Sequence, residues 1–401
     1  MEIARKRSIL YVGGFELPDK NAAAQRVIGN AKLFNALDYN VYFIGTDKSL
    51  DSKVNLIGTK SIFEGFVHYN IPYPTGLKEW YFYLCNISYK YLIKEINPQL
   101  IIAYNYPAIA LNKLRKYCGQ NDIRLIADCT EWYLLSGSII FRIIKGFDTF
   151  YRMRIIHNKL DGVIAISNYL SNYYKNRGCK TVVIPPIVNI DDFKKLYNNN
   201  NHDDIINLIY VGQPFPVDGR MIKESSYKDR LDKVIDVLYY LRDMQFIFNI
   251  YGLTKEQYLS VIPGQKDLLD VLGNKIKFYG YIENHEALKK IAESDFTVLF
   301  RDVNRMTTAG FPTKFVETIS CGTPIITNRT SDLEQYLQDG KNGYFVEIED
   351  KAKLLAKMKE ILMLDRKSIS LMKKNCQESE LFSYHKFKNK MCQFLNSINI
   401  T

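Results

Sequence analysis

Two groups of charged residues in this 401-residue chain stand where parallel-sheet folds place chemistry. The first lies in Phe296–Asn328, which reads FTVLFRDVNRMTTAGFPTKFVETISCGTPIITN. Arg301 and Arg305 follow a short apolar run, Phe296–Phe300, and precede Pro312, a residue well tolerated in the first turn of a helix. The unpaired amides of a helix start, with two guanidinium groups before them, suit an anion such as a pyrophosphate. Glu317, roughly one turn into that helix, can reach a polar group of the same ligand; equally, it reads as a solvated carboxylate on an ordinary packing helix. The second group is Asp128 and Glu131, at the end of the apolar run Leu125–Asp128. Two acids at a strand's C-terminal end serve an acceptor-binding or proton-handling site. They serve equally as the N-cap and capping-box glutamate of a following helix. No pairing of histidine with carboxylates has metal-site spacing, which predicts no metal.

Such residues need a frame of alternating strands and helices. Phe296–Phe300, a loop Arg301–Phe311, a helix from Pro312 to the stop at Gly322 and the run Thr323–Thr327 make a β-loop-α-β unit. At the other end of the chain, Ser8–Gly13, the pair Gly13-Gly14, a helix Ala22–Leu37 and a strand Val41–Gly45 begin a doubly wound sheet. Glycines after a strand let a ligand approach the backbone, and a plain tight turn reads the same way. Leu77–Ile96 predicts one aromatic-rich helix ended by Asn97-Pro98. Strands are expected at Leu100–Tyr104, just ahead of Asn105, and at Gly162–Ser167 and Thr181–Ile184. A second set is expected at Asn207–Gly212, Phe246–Gly252 and Lys275–Gly280. The length predicts two domains, 1–190 and 205–380, with a last helix at Phe387–Ile398 inside 385–401.

Composition narrows the class. Hydrophobic residues at 47% and charged residues at 24% are those of a soluble globular protein, and no apolar run approaches a transmembrane helix. The basic start MEIARKRSILYVGG enters a strand with no signal-type core, so a cytoplasmic location is expected. Seven cysteines without a CxxC pair read as reduced thiols. A net charge of +11 directs attention to anionic partners. Nucleic acid is not expected, for want of a zinc-finger, RNP-type or basic-zipper pattern. Tyr133–Lys159 mixes bulky apolar residues with Arg142, Lys145, Arg152 and Arg154. That mixture fits a helix lying on an anionic membrane surface, or one packed on the sheet with its basic face in water.

On Gly310-Phe311, Glu317 and Gly322-Thr323-Pro324-Ile325, the Phe296–Asn328 stretch resembles the nucleotide-sugar site of GT-B glycosyltransferases, above all the retaining family four. The family's pattern is Glu-Gly-Phe-Gly, four residues, Glu, then a helix ending Gly-x-Pro-Val; its first Glu falls here on Ala309. The resemblance implies an α/β chain of two Rossmann-like doubly wound domains facing an interdomain cleft, the C-terminal helix crossing back to the first. It implies that Glu317 binds the donor ribose, and the Ala309 departure leaves the donor sugar open. Lys228 fits the family's diphosphate-gripping lysine, while Gln213 stands where an arginine is usual. Arg301, Arg305 and Lys314 then complete the grip beside the helix start at Pro312-Thr313, and Arg220 and Lys223 read as solvated charges. Tyr281, in a turn similar to the family's Phe-x-Gly-x-Val, becomes a base contact; His285, alone in a turn before a helix, reads on its own position as a cap.

On the acceptor side the resemblance lines the cleft with Gly13, Gly14 and Arg26, the last equally a surface helix residue, and adds Asp128, Glu131 and Asn105. The implied activity is metal-independent and cofactor-free. It transfers a hexosyl or N-acetylhexosaminyl group, with retention, from a UDP-sugar to a hydroxyl of a glycan or lipid-linked acceptor in bacterial surface polysaccharide synthesis. Lys228, Glu317 and Asp128 are the catalytic candidates, and a peripheral position on the inner face of the cell membrane is the implied setting. The alternatives are another GT-B activity, such as a sugar-nucleotide epimerase, and a silent sugar-nucleotide-binding partner of another transferase, suggested by Ala309 and Gln213.

Overall fold

The computed structural model describes residues 7–18, 21–51, 55–132, 139–197, 205–217, 223–224 and 227–400. They form two compact units. The first takes the chain up to Val188, Ala309–Phe311 and the chain from Ser383 onward; the second takes Asn189–Thr308 and Pro312–Phe382.

The first unit is built on β1 (Arg7–Gly13), β2 (Tyr39–Asp47), β3 (Ser61–Phe63), β4 (Phe66–Pro72), β5 (Leu100–Tyr104), β6 (Arg124–Cys129), β7 (Gly162–Ala165) and β8 (Thr181–Val183). Their order across the sheet is β3-β4-β2-β1-β5-β6-β7-β8, with β3 antiparallel to β4 and every other pairing parallel. Successive side chains of a strand point to opposite faces, and β1 uses both. Ile9 and Tyr11 pack with Val27, Ala31 and Phe34 of the helix Ala22–Asn35, and with Met391, Phe394 and Leu395 of the helix Lys388–Ser397. Leu10 and Val12 pack with Leu92 and Ile93 of the helix Lys90–Ile96, and with Leu111 and Leu114 of Ala108–Gln120. A strand covered on both faces reads as an unbroken apolar run, which is why it was recognisable. Burying each of these Leu or Phe side chains stabilises the unit by roughly 1.5–3 kcal/mol.

Three local features differ from expectation. Ser61–Pro72 is a hairpin that the sequence reading did not anticipate; its two-residue turn, Glu64-Gly65, has both φ values positive, at 48° and 81°. Leu77–Ile96 is two helices, Leu77–Cys85 and Lys90–Ile96. The break follows from Asn86, which is extended and accepts Lys113 Nζ at 2.9 Å, and from Tyr89, buried with its hydroxyl bonded to that of Tyr106 at 2.7 Å. The stretch expected as a loop at Arg301–Phe311 holds a short helix, Arg305–Ala309, opened by Asn304, whose side chain accepts the amides of Met306 and Thr307.

The second unit is a six-stranded parallel sheet of β9 (Ile206–Val211), β10 (Phe246–Tyr251), β11 (Ile276–Phe278), β12 (Phe296–Leu299), β13 (Ile325–Thr327) and β14 (Gly343–Phe345), ordered β11-β10-β9-β12-β13-β14. Strands β9 and β12 are neighbours, so the segments leaving their C-terminal ends meet at the middle of the sheet edge. Ligands bind at that edge of open parallel sheets.

Candidate functional site

At the middle of that edge four charged side chains converge. Asp229 is buried and lies between Lys314, whose ammonium is bonded to Oδ2, and Arg301, whose Nε is 3.2 Å from Oδ1. The Tyr210 hydroxyl, from β9, donates to Asp229 Oδ2 at 2.8 Å, and Lys314 Nζ donates to the Tyr210 oxygen at 2.9 Å. Lys228 adds an exposed ammonium beside this group. Its own amide donates to Pro214 O at 2.7 Å and its carbonyl accepts Arg301 Nε at 3.2 Å, so the Lys228 backbone and the Arg301 side chain hold each other. Three cations against one carboxylate leave two positive charges at the head of the helix Thr313–Ser320, whose first amides also favour an anion.

Local structure explains why the cluster forms. Gly212 follows β9 with φ at +125°, and a Cβ there would lie 2.6 Å from Lys314 Cε and 2.7 Å from Nζ. Only glycine leaves room for that lysine to turn inward. Asn328, after β13, accepts the Arg301 amide at 2.9 Å and donates to the Arg301 carbonyl at 2.8 Å, which fixes the backbone that carries the guanidinium. Arg230 accepts no role in holding an anion itself, since it is spent on Glu224, Asp232 and Asp302. Through its amide, bonded to Phe300 O at 2.7 Å, it ties Lys228-Asp229 to the end of β12.

Burial would raise the Asp229 carboxyl, yet Lys314 first, then Arg301 and Lys228, hold it below the usual carboxylate range. Lys314 moves down as well: burial is the largest influence, and Lys228 and Arg301 add to it against the pull of Asp229. The two shifts are consistent, because the carboxylate sees three cations and the ammonium sees one anion and two cations. An incoming anion would relieve that imbalance.

The other donor-side candidates fall around this centre unevenly. Pro312 caps the helix start and Thr313 begins it; Glu317 is half-buried within it. Arg305 is exposed on the short helix Arg305–Ala309, and Gln213 is exposed just past β9. Gly310 and Phe311 group with the first unit. Tyr281 is 74% exposed beside Glu283, whereas Tyr279 stacks flat on Tyr251, ring centroids 4.5 Å apart at 9°. That flat pair at the C-terminal ends of β10 and β11 is a better stacking platform than Tyr281, and the sequence reading passed over it. Asp229, Tyr210 and Asn328 were also missed; only the adjacency of Asp229 to Lys228 hinted at one of them. Lys223 is exposed, as is His285, the second residue of the helix Asn284–Glu293. Arg220 lies outside the described residues.

In the first unit the expectations for Asp128 and Arg26 are corrected. Both are buried, and the Asp128 carboxylate accepts from Arg26 Nη2 at 2.7 Å, Arg26 Nε at 3.0 and 3.1 Å, Asn30 Nδ2 at 3.2 Å and the Tyr11 hydroxyl. Arg26 spends Nη1 on the carbonyls of Ile184 and Pro185, at 3.0 and 3.2 Å. Asp128 is therefore a frame residue with no open face for an acceptor. Burial, then Asp128, drives the Tyr11 hydroxyl well above its ordinary value. Gly13 is also structural, since a Cβ there would stand 2.3 Å from the Tyr104 carbonyl of β5. Gly14 and Glu131 are exposed and Asn105 half-buried, its Nδ2 donating to Thr130 Oγ1 at 3.1 Å.

The basic helix is corrected at one residue. Ile139–Tyr151 exposes Ile139, Ile143, Ile144, Phe147 and Phe150, with Arg142 and, beyond its end, Arg154. Arg152 faces inward instead, donating to the carbonyls of Asn105 and Tyr106 at 3.2 and 3.1 Å and standing 3.6 Å from Asp148. Residues 133–138 of that stretch lie outside the described residues. All seven cysteines are free thiols. Among the described residues, no helix is long and apolar enough to cross a membrane, and no group of three or more His, Cys, Asp or Glu is placed to hold a metal ion.

Comparison with known proteins adds the following. Residues 220–378, within the second unit, match the family model of glycosyl transferases group 1. The chain superposes on a sucrose-phosphate synthase from Thermosynechococcus elongatus with a TM-score of 0.67 at 16% identity, covering 98% of this chain and 99% of that one. It superposes on a glycosyltransferase from Rickettsia africae with a TM-score of 0.68 at 16% identity, covering 99% and 100%. On Anabaena HepE in complex with UDP and glucose the TM-score is 0.61 at 16% identity, covering 98% and 100%. The architecture is thus the two-domain α/β fold of GT-B glycosyltransferases. A Klebsiella pneumoniae protein described as an uncharacterized 41.2 kDa protein in the cps region is 22% identical over 247 residues, 59% of this chain; the chain spans about 60% of that curated relative's length.

Proposed function

We propose that this chain, whose residues 220–378 match the group 1 glycosyltransferase model, moves a sugar from a nucleotide-diphosphate donor to a hydroxyl of a glycan or lipid-linked acceptor. The observation that carries the reading is the surplus of positive charge around Asp229 at the head of Thr313–Ser320, with Glu317 one turn further in. As the bond between sugar and diphosphate breaks, negative charge grows on the diphosphate. Lys228, Arg301, Lys314 and the helix amides stabilise it there, and such preorganised stabilisation is commonly the largest catalytic contribution. In this reading the cations do the work without a metal, Glu317 accepts from the ribose hydroxyls, the Tyr251–Tyr279 pair stacks against the base, and configuration is retained.

A uridine donor is supported by the UDP bound in the similar HepE structure. Surface polysaccharide synthesis is supported by the cps-region relative. An acceptor delivered at an anionic membrane surface is supported by the exposed apolar and cationic side chains of Ile139–Tyr151, which suit an interfacial helix. A silent sugar-nucleotide binder remains the second reading, because a buried Ala309 stands where the resemblance expects a sugar-contacting glutamate.

Calorimetric titration with uridine, guanosine and adenosine diphosphates and their sugars tests the proposal. One nucleotide binds, and Glu317→Ala and Lys228→Ala each weaken it about ten- to hundredfold, the worth of a charge-assisted hydrogen bond. No binding by any nucleotide would overturn it; binding without donor hydrolysis or transfer would favour the silent binder.

A further inference from the structure

The first unit contains a cavity of about 720 Å³ at the C-terminal ends of β4 and β5, a volume in the range of small-molecule sites. Its walls are the rings of Tyr73, Phe82, Tyr83, Tyr89, Tyr91 and Tyr106, with aliphatic side chains between them. The cavity borders the turn after β1, since a Cβ on Gly14 would come within 3.3 Å of the Tyr83 hydroxyl. It therefore opens at the sheet edge where the first unit offers a ligand its approach.

Several of the polar groups in these walls are engaged already. Glu79 accepts from the amides of Thr75 and Gly76 and from Thr75 Oγ1. The Tyr89 and Tyr106 hydroxyls bond each other. The Asn55 oxygen accepts the Ile57 amide, and the Asn86 oxygen accepts Lys113 Nζ. The carboxylate, both amide oxygens and two of the tyrosine hydroxyls are thus taken, and what the walls offer most is aromatic and aliphatic surface, which suits a hydrocarbon chain. The rim extends this apolar character. Phe82 is 62% exposed, and Leu77 and Tyr81 stand out from the same helix, Leu77–Cys85. That helix and the apolar-faced Ile139–Tyr151 both pack on Ala108–Gln120. A surface with this many exposed large apolar side chains marks a binding or membrane-facing site. Lys113, on Ala108–Gln120, brings an ammonium to the rim that, among the described residues, is bonded to a neutral amide.

We infer that this cavity binds the hydrocarbon chain of an amphiphilic acceptor, a prenyl- or alkyl-phosphate-linked molecule whose anionic head meets Lys113. The inference rests on the transferase reading, for which it names the acceptor class. Trp80 reports on it directly: its ring packs edge-on against Tyr73 and Tyr83, both wall residues, at 5.7 and 6.0 Å. Farnesyl phosphate is titrated below its aggregation concentration into a Trp132→Phe chain, and Trp80 fluorescence is followed. Decyl phosphate, farnesol, inorganic phosphate and a short free oligosaccharide are titrated in parallel.

Saturable changes are expected with farnesyl and decyl phosphate, a weaker one with farnesol, and none with phosphate or the oligosaccharide. Phe82→Asp, at an exposed position that the fold tolerates, weakens farnesyl phosphate at least tenfold, and Lys113→Glu weakens farnesyl phosphate but not farnesol. Calorimetric binding of the nucleotide is unchanged in both variants. The inference fails if the oligosaccharide binds as well as the alkyl phosphates, if no alkyl phosphate binds, or if Phe82→Asp leaves its affinity intact. Any of these results with nucleotide binding preserved refutes the cavity assignment alone; loss of nucleotide binding in the unmodified chain refutes the transferase reading first.

Discussion

Replacing Asp229 by Asn removes one negative charge and little volume, and its consequences follow from the contacts. The side chains involved are 2% exposed for Asp229, 9% for Arg301 and 20% for Lys314. Deleting one member of such a buried charge group costs roughly 3–5 kcal/mol, because the remaining charges lose their compensation. In the second unit, spanning Asn189–Phe382 apart from Ala309–Phe311, each kcal/mol corresponds to about 2–4 °C of Tm, so the transition of that unit should fall by about 6–20 °C.

On the proposed reading, a nucleoside diphosphate supplies the missing negative charge. At a hundredfold excess over its Kd, binding to the native state alone contributes about 2.7 kcal/mol. The diphosphate should therefore raise the Tm of Asp229→Asn by more than it raises that of the unmodified chain at equal saturation. The acid limb supplies a second readout. Because the Asp229 carboxyl is held below its ordinary range, its contribution is complete above the unfolded-state value of about 3.9 and is lost as pH falls through the lower native value. The stability gap between the two proteins, measured by urea unfolding, should thus be constant at neutral pH and close only in acid. A gap under about 1 kcal/mol at pH 7, or nucleotide shifts that are equal in the two proteins, would refute the idea that Asp229 stands in for a bound anion.

His157 makes a prediction in the first unit. It is buried, 2.8 Å from the Tyr174 hydroxyl, and burial, then Arg152, lowers its pKa to about 3. The unfolded chain takes up a proton near pH 6.5 and the native chain does not, so stability is unaffected above that pH and declines below it by up to about 1.4 kcal/mol per unit, roughly 2 kcal/mol by pH 5. His157→Gln should flatten this slope in urea titrations from pH 7 to 5; an identical slope in both proteins would exclude the assignment. For the membrane reading, co-sedimentation with anionic vesicles should fall when Arg142, Lys145 and Arg154 are changed to Gln together, and also when Phe147 is changed to Asp. Binding that is indifferent to both changes would leave Ile139–Tyr151 as an ordinary surface helix.

The frame was legible because buried parallel strands carry their signal locally. Ile9–Val12, Leu100–Tyr104 and Phe296–Leu299 are short apolar runs whether or not their partners are known. Ser61–Pro72 was not legible, because β3 has only three residues and its turn is Glu-Gly, a weaker hairpin signal than Asn-Gly. Leu77–Ile96 misled because both halves favour helix and the break is imposed from elsewhere, by Lys113 and Tyr106. Charge pairing was the least legible of all. Asp229 meets Lys314 across 85 residues and Asp128 meets Arg26 across 102, and nothing local in the sequence marks either partner.

That blindness explains why Asp128 and the Arg301–Lys314 group looked alike as site candidates and turn out different. Each unit places a buried aspartate beside an arginine at the C-terminal edge of its sheet, so position alone cannot separate them. The donor count can. A guanidinium offers five N–H groups. Arg26 engages all three nitrogens and four of these five donors, with Asp128 on Nε and Nη2 and two carbonyls on Nη1, and keeps a single Nη2 N–H. Among the described residues, Arg301 engages Nε alone, between Asp229 and the Lys228 carbonyl. Its terminal nitrogens keep their capacity, and Lys228 beside it is exposed. A carboxylate whose arginine is bonded at every nitrogen builds the frame, whereas one whose arginine is bonded at a single nitrogen keeps its terminal donors for an anion. By this criterion the second unit's sheet edge is the one with donors to spare for an anion, as the proposed diphosphate site requires, and the first unit's Asp128 keeps β1, β6 and the helix Ala22–Asn35 in place.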